Sequence, residues 1–295
     1  MTVPLIGIET RLRTGLVDAA RTQLIGYDES FNGLLQKVWL HDAADATAEP
    51  LAAIVKPAHA QAAEEELGWR LANALDMQDL VPAVARRADG AAYIEFRDGV
   101  HLEDAGITNA RALERAIGPT RAQLVGVFDY LLANIDRHLR NGLYDAARGQ
   151  LSLIDHGHAG QGALAWNGGS VLEPALGQQL LERASGRRVD LDPAVVEHVR
   201  ERLDDAAIHA IHETVYGAIA PHAAEAATVA APGRPALPRL TPQASADGMA
   251  ARLAHLLETG GFRYQSTAPL PRVGRAAQAD HFARANGRLQ GIHRF

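Results

Sequence analysis

The stretch 128–160, FDYLLANIDRHLRNGLYDAARGQLSLIDHGHAG, constrains this chain more than any other part of it. Helix-spaced apolar residues (Val125, Phe128, Leu131, Leu132) run into Ala133-Asn134, where the spacing predicts a helix end that delivers Asp136 into a loop. Leu143-Tyr144 and Leu151-Ser152-Leu153-Ile154 then read as a short hairpin with its turn near Arg148-Gly149. Asp155 follows at the strand end, framed by apolar residues and by Gly157. The order is a loop acid, a hairpin, and a second acid where the strand stops.

The side chains carried on this frame suggest a chemistry. Asp136 is followed by the basic pair Arg137 and His138, then by the amide of Asn141, and Asp155 closes the set. Phosphoryl transfer from ATP needs a carboxylate to orient the attacking hydroxyl, and further oxygen ligands to hold Mg²⁺ against the phosphates. Asp136 suits the first task, and Asn141 and Asp155 suit the second. Arg137 and His138 would stabilise the loop or the departing phosphate charge, and a buried arginine of this kind also commonly pairs with an acid. Asp-His-Gly-His over 155–158 superficially suggests zinc, but no third ligand stands at a sensible spacing, and oxygen ligands fit Mg²⁺ better.

DRHLRN followed by IDHGHA resembles the catalytic and metal-binding loops of the phosphatidylinositol 3-/4-kinase-related superfamily, D-R-H-x-x-N and I-D-[FH]-G. Protein kinases of the ordinary kind carry H-R-D, and HipA-type toxin kinases carry a Tyr-Asp pair where this chain has Ile154-Asp155-His156-Gly157. The resemblance covers 124–160, extends more loosely over 26–100, and is not seen beyond about 220. It implies an α+β, two-lobed, protein-kinase-like fold with a small β-rich N-lobe and a mostly helical C-lobe around an ATP–Mg²⁺ cleft.

Residues 1–25 read as a short lead-in helix or strand, and GYDESFNG (26–33) as a turn-rich loop whose backbone N–H groups and Ser30 hydroxyl could meet phosphate. The stretches 34–40 and 51–56 read as strands, 60–75 as a helix with Leu67, Leu71 and Leu75 on one face, and 81–84 and 91–96 as further strands. Composition adds a clue here. The chain holds 27 arginines and only two lysines, Lys37 and Lys56, and a compact ammonium does what a wide guanidinium cannot in a cramped phosphate site. Pro57 ends the second strand directly after Lys56, which makes Lys56 the candidate phosphate-binding lysine and leaves Lys37 without a role. Glu64, Glu65 and Glu66 open the next helix, where acids also suit the helix dipole. The E-x₅-L spacing to Leu71 that the resemblance implies selects Glu65 as the partner of Lys56. Glu95-Phe96-Arg97 stands at the expected hinge, where main-chain groups would meet adenine.

From about residue 105 helix-spaced segments dominate: 110–117, 120–134, 173–184 and 193–219. A proline-rich linker is expected over 231–243, a last helix over 246–258 stopped by Gly260-Gly261, and an extended or loosely ordered remainder over 262–295. The division expected is an N-lobe over 1–100, a helical C-lobe over 101–230, and a linker, helix and arginine-rich tail over 231–295. From Pro232 onward nine arginines face three acids, so the rest of the chain carries about −12 within a whole-chain charge of −6. So acidic a body is not built for broad nucleic-acid contact. Absence of cysteine excludes disulfides and thiolate metal sites and fits a reducing compartment. With no signal-like start and no apolar run long enough for a membrane span, a cytoplasmic location is the expectation. The activity expected is ATP- and Mg²⁺-dependent transfer of the γ-phosphoryl group to a hydroxyl of a protein or small molecule. Nucleotidyl transfer, or nucleotide binding without turnover, would use the same residues.

Overall fold

In strands β3 (Gly33–His41) and β4 (Leu51–Lys56), residues alternate between two faces of a sheet, and the two faces meet different surroundings. A computed structural model of the chain describes residues 5–28, 33–45, 47–58, 60–108, 110–134, 137, 139–157, 159, 188–217 and 241–263. Val38, Leu40 and Ala53 are buried on one face, which the helix α1 (Leu5–Thr14) covers with Leu12. Lys37, Trp39, Ala52 and Ile54 occupy the other face and stay half-buried. Around these two strands stand β1 (Leu16–Val17), β2 (Gln23–Asp28), β5 (Val84–Arg86) and β6 (Ala92–Glu95), giving an antiparallel sheet of order β1-β3-β4-β6-β5 with β2 also on β3. Helix α2 (Ala60–Ala74) crosses from β4 and packs on β5 and β6.

In the first half of the chain two local expectations change. The stretch read as a loop over 26–33 is strand at both ends, because β2 runs to Asp28 and pairs with Gly33; Ser30 lies outside the described residues. The strand expected over 81–84 instead begins at Val84, since Pro82 has no N–H to give a ladder.

Beyond β6 the chain turns at Gly99 and forms a three-stranded sheet of β7 (Val100–His101), β8 (Gly142–Asp145) and β9 (Gln150–Leu153). Helices α3 (Ala110–Ile117) and α4 (Pro119–Leu132) stand between β7 and β8. The continuous helix expected over 193–219 is two, α5 (Pro193–Arg202) and α6 (Asp205–Tyr216), because the Asp204 carboxylate accepts the Ala207 N–H and starts a new helix. The final helix α7 (Pro242–Thr259) begins earlier than expected: Thr241 caps it and Pro242 fills its first turn, so 241–243 are not linker. Gly260 ends it in the left-handed conformation. Phe262 and Arg263, read as extended, form β11 (Gly261–Arg263) against β10 (Arg188–Asp190). The helix expected over 173–184 and the tail beyond Arg263 lie outside the described residues.

Helix α7 packs on α6 and α4 through the buried Met249, Leu253 and Leu256, and its Arg252 donates to the Leu131 carbonyl (2.8 Å). The result is an α+β, two-lobed, kinase-like fold: a curled antiparallel sheet with α2, then a mostly helical half. Among the described residues no helix is long and apolar enough to cross a membrane.

Candidate active site

Lys56 is the last residue of β4, on the same sheet face as Ile54, and Pro57 stops the strand there. Its Nζ donates to Glu65 Oε1 at 2.5 Å and to Asp155 Oδ1 at 2.8 Å. The second Glu65 oxygen accepts the His156 backbone N–H at 3.1 Å, so one carboxylate ties the lysine, α2 and the strand-end loop together. The lysine and glutamate side chains are 8% and 1% exposed, whereas Asp155 keeps 36%, so the group is sealed on the α2 side and open toward Asp155. Burial alone would lower the Lys56 pKa, but the Glu65 and Asp155 carboxylates outweigh it and hold the ammonium above its ordinary range. Burial also raises the Glu65 carboxyl, the Lys56 charge opposes that shift, and the Asp155 charge reinforces it.

Of the three consecutive glutamates, the one that meets Lys56 is Glu65. Glu66 points elsewhere, accepting from Arg70 (3.1 Å) and Arg86 (2.5 Å), and Arg86 also donates to the Val215 carbonyl on α6. Successive helix positions differ by about 100°, so a run of three acids places them on different sides of α2.

The acid loop is built just as locally. Ala133 ends α4 in a left-handed conformation (φ 48°), and Asn134 Nδ2 then donates to the Asp155 carbonyl at 3.2 Å. Asp136 and His138 lie outside the described residues. Arg137 is turned inward and is 1% exposed. It donates to Asp129 Oδ1 (2.9 Å), to the Asn141 and Ile154 carbonyls (2.9 and 2.6 Å), and to His156 Nδ1 (2.7 Å). Arg137 thus pairs with an acid, Asp129, and its contacts to the Asn141 and Ile154 carbonyls hold the loop. Asn141, in a short 3₁₀ turn (Leu139–Asn141), is buried, and its carbonyl also accepts the Ile154 N–H at 2.9 Å.

Asp155 itself has φ 59°, a left-handed conformation that aspartate tolerates better than most residues. His156 packs its ring edge-on against Phe128 and so close to α2 that a Cβ at Gly68 would sit 2.8–2.9 Å from ring and Cβ atoms. Burial, with the Arg137 charge adding, pushes its imidazole well below the usual value. The guanidinium donates to Nδ1, so the neutral ring carries its proton on Nε2. His156 thus packs between α2 and α4.

At the expected hinge, the Glu95 side chain accepts from the Ala83 N–H and from Arg97, while the Glu95 and Phe96 N–H groups donate to the Ala83 and Ala52 carbonyls. Those two main-chain donors are therefore spent within the protein. The sequence assigned no task to Lys37, yet its Nζ lies 3.3 Å from the Phe96 ring centroid and 5.3 Å from that of Trp39. Asn134 was also missed; an asparagine two residues before a loop acid gives no periodic signal.

This constellation on this frame defines a kinase-like fold with a lysine–glutamate–aspartate group between its halves. No family model matches the chain, and no curated protein matches it. Among solved structures it is similar to the Helicobacter pylori proinflammatory kinase CtkA, at 14% identity over 83% of this chain and 92% of that one, with a TM-score of 0.43.

Proposed function

We propose that the protein is an ATP- and Mg²⁺-dependent phosphotransferase of the atypical, phosphatidylinositol 3-/4-kinase-related kind, acting on a hydroxyl of a protein or small molecule. The observation that carries this reading is the convergence of Lys56, Glu65 and Asp155, brought together from a strand, a helix and a loop. A structural ion pair needs one acid; among the described residues the ammonium meets two, one of them half-exposed, and such an arrangement suits an ammonium that will also meet phosphate oxygens.

The donors proposed for the ion suit magnesium: Asp155, whose Oδ1 meets Lys56, and Asn141 both present oxygen, the element this cation prefers. Bound between Asp155 and Asn141, the ion would supply charge neutralisation at the phosphates. Lys56 would hold phosphate oxygens, Glu65 would keep Lys56 and the 155–157 loop in register, and Arg137 would brace the loop that carries Asp136. Asp136 would accept the proton of the acceptor hydroxyl as its oxygen bonds the γ-phosphorus and the bond to the β–γ bridging oxygen breaks, releasing ADP.

Incubation with γ- or α-labelled ATP and Mg²⁺, with mass-spectrometric identification of the labelled product, tests this. Transfer of the γ label alone is expected. Transfer of the α label would establish nucleotidyl transfer in its place, and binding without transfer of either label would leave a nucleotide-binding module.

A further inference from the structure

The two lysines of the chain stand on the same face of one sheet. Lys37 pairs across the strands with Ile54, and Ile54 with Ile94, while Lys56 lies two residues along from Ile54. Strand geometry puts the two lysine Cα atoms about 8 Å apart, one strand over and two residues along. Since Lys56 reaches Asp155 from this face, the face is the roof of the cleft, and Ile54 and Ile94 form a half-exposed apolar shelf on it. A nucleotide with its phosphates at Lys56 would have Lys37 and Phe96 on the same face to meet its other end.

Among the described residues the Lys37 ammonium has no hydrogen-bond acceptor and no carboxylate within 4.0 Å, and it lies over the rings of Phe96 and Trp39. An ammonium has three donors and no acceptor. The usual alternative, reading of the base by main-chain N–H groups, is closed at Glu95 and Phe96, whose donors go to Ala83 and Ala52. Lys37 thus offers a base edge a pure donor from this face, beside the Phe96 ring. Guanine offers such a donor two acceptors, O6 and N7, whereas adenine places a donor, its N6 amine, beside N7.

Resting on the nucleotide-site reading above, we infer that Lys37 is the base-selecting residue of the cleft and tilts it toward carbonyl-bearing bases, so that GTP binds at least as well as ATP. The test is the affinity of the full chain for Mg-ATP and Mg-GTP, by calorimetry, in wild type and in the Lys37→Met, Lys37→Arg and Lys56→Met variants. Lys37→Met is expected to weaken GTP binding by about tenfold while changing ATP binding much less. Lys37→Arg, which keeps the charge and the donors, is expected to retain GTP preference, and Lys56→Met to weaken both nucleotides alike. Wild-type binding of ATP far tighter than GTP, with the ratio untouched by Lys37→Met, would overturn the inference and leave the nucleotide site standing. Binding of neither nucleotide by wild type would overturn the site reading and this inference together.

Discussion

At Lys56 one ammonium serves two carboxylates, and the balance is sensitive to shape as well as charge. Replacing it with methionine leaves Glu65 buried without its counter-charge, a change that ordinarily costs about 3–5 kcal/mol, so Lys56→Met is expected to lower both stability and turnover. Lys56→Arg keeps the charge, yet puts a wide planar guanidinium where Glu65 Oε1 and Asp155 Oδ1 hold a compact ammonium, and turnover is expected to stay at least about tenfold below wild type. Steady-state rates beside urea midpoints separate the two effects; full activity in Lys56→Arg would show that any cation suffices. At this scale the sequence was readable where it offered contrast. A lysine in an arginine-rich chain, stopped by Pro57, stands out, and so does an acid between Ile154 and Gly157. Arg137 stood out as a loop residue that could pair with an acid, but its partners were not readable, because Asp129, the Asn141 and Ile154 carbonyls and His156 are brought together by the fold.

Among the elements, α2 carries the most constraint. Intrinsic propensity favours alanine over glycine inside a helix by roughly 1 kcal/mol. Gly68→Ala is nevertheless expected to destabilise by about 1–3 kcal/mol and to depress turnover, because the new methyl enters the space of the His156 ring. A variant with a raised melting temperature and unchanged rate would show that His156 is free to move. Helices α6 and α7 meet at a second buried imidazole: His212 holds the Ile208 carbonyl with Nδ1 (3.0 Å) and the Ser245 hydroxyl with Nε2 (3.2 Å). Burial lowers its pKa, so on acidification the unfolded chain takes up a proton before the folded one does. The stability it contributes is present above the ordinary imidazole value near 6.5 and is lost as pH falls through it toward the lower folded value, by at most about 1.4 kcal/mol per unit. Urea midpoints at neutral and mildly acidic pH are expected to converge in His212→Gln relative to wild type, and parallel slopes would exclude His212 as the source. The α5–α6 break shows why element boundaries were harder to see than elements. Apolar periodicity runs on across 193–219, while the break depends on the single Asp204 side chain accepting one N–H.

Across the whole molecule, the sequence order of strand, lysine strand, helix and the hairpin that ends at Asp155 was legible because each part has a local signature. How the C-terminal helix is used was not, because an amphipathic helix after a proline-rich stretch looks the same whether it docks or trails. Helix α7 docks, burying Met249, Leu253 and Leu256 against α4 and α6. At about 1.5–3 kcal/mol for each such side chain, a chain ended at residue 240 is expected to lose a large part of a typical domain's 5–15 kcal/mol and to melt without a cooperative transition. A cooperative melt near the wild-type temperature would show that α7 is dispensable. The central claim is that the two halves jointly bind a magnesium nucleotide through Lys56 above and Asp155 below. Its most direct test is the thermal shift produced by ATP with Mg²⁺ and with a chelator, in wild type, Asp155→Ala and Asp136→Ala. A ligand at a hundredfold excess over its dissociation constant adds about 2.7 kcal/mol, enough for a shift of several degrees. The account requires a Mg²⁺-dependent shift in wild type, its retention in Asp136→Ala with turnover abolished, and its loss in Asp155→Ala. An equal shift in wild type and Asp155→Ala, or none in wild type, would contradict it.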